Sequence, residues 1–247
     1  MIMEANNNLR KILITNDDGI SADGIIRLAK AAKEFGEVWV VAPSHQRSAA
    51  SHSISLRNSI DIYPHDFPVE GVHAYSCSGT PGDCVRVGAL SVMDEKPDVV
   101  LSGINDGYNV ATDIQYSATA GAAFEAAFQG FHAIALSEGV WTNHEVTDAY
   151  LKDMIADGLE VKLKYGEIVN INFPGCNLSD YKGIQRGVKV SRNAFFIDRY
   201  KVIEELANNG KRYMVAGIHK AVPEEGTDYG AVLGNCISFG IVNNVGT

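Results

Sequence analysis

The sequence predicts an α/β fold: a doubly wound, mostly parallel Rossmann-like sheet with a C-terminal β-hairpin or arm. Three observations carry that prediction. An apolar run at 11–15, an amphipathic stretch and a second apolar run at 38–42 fit strand, helix and strand in about 30 residues, the βαβ unit of a parallel sheet. The alternation continues to about residue 140. Beyond one more helix and strand, Val188 to Lys220 is charged, aromatic and weakly periodic, which suits an extended arm better than a core.

Taken in order, Lys11 to Thr15 is a continuous apolar run of the kind buried on both faces of a sheet, and it stops at Asn16-Asp17-Asp18-Gly19. Ser21-Ala22-Asp23-Gly24 resembles a helix start, after which Ile25, Leu28, Ala29, Ala32 and Phe35 share one face up to Gly36. Val38 to Ala42 is a second buried strand, closed by Pro43. Ser53–Leu56, Ile60–Tyr63 and Val72–Ser76 read as short strands around a proline-containing loop. Thr80-Pro81-Gly82-Asp83 opens a helix, with Thr80 as N-cap, proline first and an acid third.

Asp98–Ser102 is a buried strand that ends in Gly103-Ile104-Asn105-Asp106-Gly107, and Thr119–Phe128 is an alanine-rich, closely packed helix. Ala133–Leu136 reads as a strand, Asp148–Leu163 as a helix and Ile168–Pro174 as one more strand. There is no internal repeat and no low-complexity linker. Residues 1–140 are therefore expected to form the core that carries the site. Residues 141–247 continue that core and add a hairpin or arm for dimerisation, the whole forming one domain.

The chain has 247 residues, 46% hydrophobic and 21% charged, enough to bury a sizeable core. Its net charge of −9 argues against a general nucleic-acid binder, which needs a basic face to neutralise phosphates. A small phosphorylated substrate stays compatible, because a divalent cation reverses the local potential. Met1 to Asn8 lacks a basic stretch followed by an apolar one, and no apolar run reaches membrane-spanning length. The four cysteines Cys77, Cys84, Cys176 and Cys236 show no zinc spacing, and buried thiols in a reducing cytoplasm are the expected reading.

The chemistry concentrates at strand ends. Adjacent carboxylates at Asp17 and Asp18 repel each other and are costly to bury unless a cation holds them. Hard oxygen ligands at the carboxyl end of a parallel strand point to Mg²⁺, Mn²⁺ or Ca²⁺, where open α/β sheets bind ligands. Asn, Asp and Gly are also favoured turn residues, and either aspartate could cap the next helix, so this fragment leaves turn and metal site open. Two more strand ends lead into Ser44–Ser51 and Ser102–Asn109, both rich in oxygen ligands and amide donors. Tyr116-Ser117-Ala118-Thr119-Ala120 places two hydroxyls and free N–H groups at a helix start, a ready anion site; taken alone, Ser117 and Thr119 read first as helix caps, a role compatible with phosphate binding.

Together these segments resemble the survival protein SurE family of metal-dependent nucleotidases. The residues that carry the resemblance are Thr15-Asn16-Asp17-Asp18-Gly19, Val41-Ala42-Pro43 with Arg47-Ser48, Gly79–Val85, Ser102-Gly103-Ile104-Asn105 with Asn109, and Tyr116–Thr119. Asn170–Pro174 and Gly226–Tyr229 agree as well, so the match runs over roughly residues 10 to 242 in motif order. The resemblance implies a SurE-like fold and one divalent cation per subunit, Mg²⁺ or Mn²⁺ with Ca²⁺ as a further occupant. It places metal ligands on Asp17, Asp18, Ser48 and Asn105, and phosphate contacts on Asn109, Ser117 and Thr119, with Ser48 and Asn105 bordering the substrate. It further implies hydrolysis of nucleoside 5′- and 3′-monophosphates, polyphosphate shortening in some members, and a cytoplasmic homodimer or homotetramer. The alternatives are a nucleotide- or phosphate-binding protein with weak or lost turnover, or an exopolyphosphatase.

The residues support such chemistry on physical grounds. A phosphomonoester dianion needs positive charge close to it, and few basic residues flank these loops. Asp17 or Asp18 is the expected proton acceptor or water-orienting group, and backbone amides before Thr119 would hold the equatorial oxygens. Departures from the family pattern are Ala118 where glycine is usual, Ser44-His45-Gln46 after Pro43, Tyr108 in place of proline, and an end at Thr247 soon after a Cys236–Phe239 strand. His45 and His52 flank Ser48 and are candidate acid groups, although a loop histidine is more often incidental. Asp83 reads as a capping partner. Phe195, Phe196, Tyr200 and Tyr213 suit a subunit interface better than a base pocket.

Overall fold

A computed structural model describes residues 9–140, 143–194, 196–219, 222 and 224–245. The segment Met1–Asn8 and Phe195 lie outside the described residues. The strands are β1 Lys11–Thr15, β2 Glu37–Pro43, β3 Ile62–Pro64, β4 His73–Cys77, β5 Val99–Asp106, β6 His132–Glu138 and β7 Glu167–Phe173. They continue with β8 Ile184–Arg186, β9 Phe196–Ile197, β10 Tyr200–Glu205, β11 Lys211–Val215, β12 Ile218–His219 and β13 Ile237–Asn243. The α-helices are α1 Asp23–Ala32, α2 Pro81–Val87, α3 Ala118–Phe128, α4 Glu145–Leu159 and α5 Asp228–Leu233.

Among the described residues nine strands form one sheet in the order β3-β4-β2-β1-β5-β6-β7-β13-β8. From β4 to β7 every neighbouring pair is parallel, while β3 and β13 run antiparallel to β4 and β7. The chain winds outward from β1 through β2 to β4, then returns to β5 and winds the other way. The order therefore reverses between β1 and β5, and the crevice at their carboxyl ends is where such a sheet binds ligands. Ile12, Ile14, Val38 and Val40 pack with α1 and α4 on one face. Leu13, Trp39 and Val41 pack with α2 and α3 on the other. That double cover explains why β1 and β2 read as unbroken apolar runs.

The sequence expectations hold for β1, β2, β4, β6, β7 and for α1 to α4, with ends shifted by a few residues, while the short helix α5 adds to them. Thr80 caps α2 in a full capping box: its hydroxyl accepts from Asp83 N, and Asp83 accepts from Thr80 N. Two expectations change. Ser53–Leu56 is irregular rather than a strand, because its polar atoms bond elsewhere: Ser53 O accepts from Thr80 Oγ1 and Ser55 donates twice to Asp83. The strand expected to end at Ser102 runs on to Asp106 past a register shift. Gly103 allows that passage, since its φ is +142° and a Cβ there would lie 2.2 Å from the Leu136 carbonyl oxygen.

In the C-terminal part, β10 and β11 form an antiparallel hairpin, and β9 pairs with β12. Every residue of β10 and β11 is exposed, so the hairpin projects from the sheet. No helix among the described residues is long and apolar enough to cross a membrane.

Candidate active site

The two aspartates stand where the sheet reverses, in unequal settings. Asp17 is buried at 5% exposure and its Oδ1 accepts a hydrogen bond from Thr119 Oγ1 of α3. Asp18 is half-buried; its Oδ2 accepts from the Asp106 N–H at 3.2 Å and its Oδ1 from Gln46 Nε2 at 3.3 Å. Burial pushes Asp17 up to about 6, opposed by the Thr119 hydroxyl and reinforced by the charge of Asp18. Burial also raises Asp18, opposed by the Asp106 N–H and the Gln46 amide. Among the described residues neither carboxylate has a Lys, Arg or His partner. Negative charge held in such a place calls for a counter-charge from outside the chain.

The other expected ligands arrive from β2 and β5. Arg47 N donates to the Asp17 carbonyl at 2.7 Å, which brings the loop after β2 across the end of β1. Ser48 is exposed on that loop, and its Oγ accepts from Gln46 Nε2 at 3.0 Å. Asn105 turns its Nδ2 to the Gly107 carbonyl at 2.8 Å, leaving Oδ1 as its remaining acceptor. Asp17, Ser48, Asn105, Asn109 and Ser117 line one open cleft of about 260 Å³. Asp18 and Gln46 line an adjoining cleft of about 340 Å³, and Asp106 borders both. Two carboxylates, a hydroxyl and an amide oxygen make an all-oxygen set that fits a hard cation such as Mg²⁺ or Mn²⁺. No cluster of three or more His, Cys, Asp or Glu side chains suited to a metal occurs among the described residues, so such an ion depends on the neutral oxygens of Ser48 and Asn105.

The expected phosphate contacts sort into different roles. Ser117 caps α3 by accepting from Ala120 N at 2.9 Å, and it also borders the cleft. The amides of Ala118 and Thr119 find no acceptor among the described residues, but both residues are fully buried and Ser117 is the part of this turn that borders the cleft. Thr119 is fully buried and spends its hydroxyl on Asp17. Asn109 is buried too, with Nδ2 donating to Ser137 Oγ at 2.7 Å. Ala118 takes a helical conformation inside α3, outside the set of residues with positive φ, so an alanine in place of glycine costs no backbone strain here.

Several contributors were not singled out by the sequence. Gln46 bridges Asp18 and Ser48, in the stretch that departs from the family pattern. Asp106 acts on Asp18 through its backbone, which no side-chain pattern reveals. Asn170 and Asn172 hold Asn109 from β7. Tyr108 OH accepts from Gly175 N at 2.6 Å, tying the loop after β5 to the loop after β7. His45 bonds to neighbouring Ser44 and not to the carboxylates, and Asp83 is occupied in capping. Thr119→Val, which keeps shape but removes the donor, is expected to push Asp17 further up and weaken Mn²⁺ binding at pH 7 by roughly tenfold. Calorimetry would check this, and an unchanged affinity would deny Thr119 its part.

Sheet and cleft together define a class: a doubly wound α/β protein with an oxygen-lined, acidic crevice facing a helix N-terminus at its switch point. The family model for survival protein SurE matches residues 12–195, and the chain belongs to that family. It is 41% identical over 225 residues to the 5′-nucleotidase SurE of Clostridium beijerinckii, covering 88% of this chain and 86% of the relative. It is 38% identical over 237 residues to the 5′-nucleotidase SurE of Thermoanaerobacter sp. (strain X514), covering 93% and 90%. The crystal structure of the SurE protein from Aquifex aeolicus superposes with a TM-score of 0.80 at 30% identity, covering 96% of this chain and 94% of that one.

Proposed function

We propose that this chain is a divalent-metal-dependent phosphomonoester hydrolase that removes phosphate from nucleoside 5′-monophosphates, and from 3′-monophosphates as well. One observation carries the reading: a buried Asp17 next to Asp18, with no cationic side chain beside either among the described residues, shares a crevice with Ser117 at the start of α3. Family membership and relatives named 5′-nucleotidase support it. Asp17, Asp18, Ser48 and Asn105 would hold a cation, Mg²⁺ or Mn²⁺, with Ca²⁺ able to occupy the same oxygens. Such an ion supplies Lewis-acid polarisation and the counter-charge a phosphate dianion needs.

The chain supplies the rest. Ser117 borders the cleft at the helix start, where its hydroxyl can donate to a phosphate oxygen while accepting from Ala120 N. The Thr119 hydroxyl keeps Asp17 oriented. Of the two carboxylates Asp18 is the more accessible, so it suits proton acceptance from an attacking water, while Asp17 serves as anchor. We assign the exposed hairpin to self-association as a homodimer or homotetramer, since it presents Tyr200, Val202, Tyr213, Met214 and Val215 to solvent. We assign the chain to the cytoplasm on its four unpaired cysteines, which suit a reducing compartment.

The test is phosphate release from AMP and GMP with Mg²⁺ or Mn²⁺, with polyphosphate assayed alongside. Excess EDTA is expected to abolish release and added Mn²⁺ to restore it. Undiminished turnover in EDTA would sink the metal-dependent reading, and release from polyphosphate alone would favour an exopolyphosphatase.

A further inference from the structure

His52 and Glu125 touch none of the proposed ligands, yet they fasten the loop that carries Ser48. That loop leaves β2 and lies over the start of α3. Ser51 N donates to the Tyr116 carbonyl at 3.1 Å, and Ser51 Oγ donates to the Gln115 carbonyl at 2.6 Å. Ala49 and Ser51 both hold left-handed φ values, 57° and 52°, each costing about 1 kcal/mol or more for a non-glycine residue. A loop so bent keeps its shape only if both ends are tied. Its beginning is tied by the Arg47 N–H on the Asp17 carbonyl.

Its far end is tied by His52 to α3, and one residue on by the Ser53 carbonyl, which accepts from Thr80 Oγ1. The His52 Nε2 lies 2.8 Å from Glu125 Oε2, and the ring stacks on Phe128 with centroids 5.5 Å apart. Glu125 sits on α3 at 4% exposure, and its other oxygen accepts from Arg86 Nη1 at 3.0 Å and Gln129 Nε2 at 2.8 Å. Burial disfavours its charge, but the contacts with His52, Gln129 and Arg86 prevail and hold its carboxyl below the usual range. One turn earlier, Gly121 lets the loop lie directly on the helix: a Cβ there would stand 2.5 Å from the Ser51 carbonyl oxygen.

We propose that His52 and Glu125 are positioning residues, whose contact pins the 47–53 loop to α3 and so fixes where Ser48 stands relative to Asp17. The inference rests on the proposed reading of Ser48 as an oxygen ligand. Its test is Mn²⁺ binding by calorimetry on the full chain, with AMP turnover and melting temperature measured alongside. His52→Ala is expected to weaken Mn²⁺ binding by about tenfold and to lower kcat more than it raises the KM for AMP. His52→Gln, whose amide can still donate to Glu125, is expected to recover affinity to within about threefold of wild type. Arg86→Ala removes a different partner of Glu125 without releasing the loop. It is expected to lower the melting temperature while leaving Mn²⁺ affinity within about twofold.

If His52→Ala fails to fold, His52→Asn, too short to reach Glu125, takes its place. Unchanged Mn²⁺ affinity in the His52 variants would overturn the inference. So would an equal loss in Arg86→Ala, which would mark the network as merely structural. Mn²⁺ binding that follows the expected pattern without any phosphate release would overturn the proposed function and leave the positioning role standing. Turnover with no effect of His52 would do the reverse.

Discussion

Asp17→Asn is expected to cut metal-dependent phosphate release by about a thousandfold or more, the several kcal/mol that a catalytic cation contributes. The same change is expected to make the metal-free protein more stable. Asparagine keeps the shape of the side chain and keeps an acceptor for the Thr119 hydroxyl. What it removes is a charge buried at 5% exposure without a cationic neighbour among the described residues. The sign follows from linkage. Asp17 is raised from 3.8 to about 6, so the folded state binds a proton that the unfolded chain has released. Below about pH 4 the carboxyl is protonated in both states and costs nothing. The penalty grows as the pH climbs to about 6 and then stays constant, at no more than about 3 kcal/mol. In EDTA at pH 7.5, Asp17→Asn should therefore melt several degrees above wild type, at about 2–4 °C per kcal/mol, and the gap should close toward pH 4. A variant that melts below wild type under those conditions would show that Asp17 supports the fold and is not held there against it.

That opposition between fold and chemistry also decides what could be read from the sequence. The strand β1 was legible because both its faces are covered, which leaves an unbroken apolar run with Asp17 and Asp18 at its end. The start of α2 was legible because its cap is local, all within Thr80–Asp83. Ser53–Leu56 alternates like a strand, but Leu56 is 83% exposed and Ser55 is held by Asp83 from 28 positions away. No local pattern encodes that capture. The glycine at 103 reads as a strand end, whereas the structure uses its freedom to pass close to Leu136 and carry β5 on to Asp106. Asp17, Ser48 and Asn105 line one cleft and Asp18 the adjoining one, at the sheet end that the rule for open α/β sheets locates from topology alone. What escaped were the roles of the supports: the Asp106 N–H, Gln46, and the asparagines of β7, which the sequence marks as part of the family pattern without a task. They act through backbone atoms or across long separations, as Asn172 does on Asn109 over 63 positions.

Those asparagines give the largest expected effect on stability. Asn172 is fully buried in β7, and it treats Asn109 as a paired strand would. Its Oδ1 accepts from the Asn109 N–H at 2.8 Å, and its Nδ2 donates to the Asn109 carbonyl at 3.3 Å. Asn170 Nδ2 reaches the same carbonyl at 2.9 Å, and Ser137 Oγ accepts from Asn109 Nδ2 at 2.7 Å. Polar side chains on two adjacent strands, β6 and β7, are thus spent on one residue of the cleft wall. A plain apolar core has no use for them; a site at the carboxyl ends of β5, β6 and β7 does. Asn172→Leu preserves volume but leaves the Asn109 N–H buried without an acceptor, while Asn170 still serves the carbonyl. An orphaned buried donor costs about 1–3 kcal/mol, and the lost second bond adds about 1 kcal/mol. The expected total of about 2–4 kcal/mol corresponds to a melting temperature lower by roughly 5–15 °C. Turnover of AMP, measured well below that temperature, should fall by about a hundredfold, because displacing the loop after β5 moves Asn109 and disturbs the end of β5 that holds Asn105. A variant that melts within about 1 °C of wild type would mean that solvent replaces Asn172 at no cost, and that the polar lattice beneath the cleft does not hold its wall.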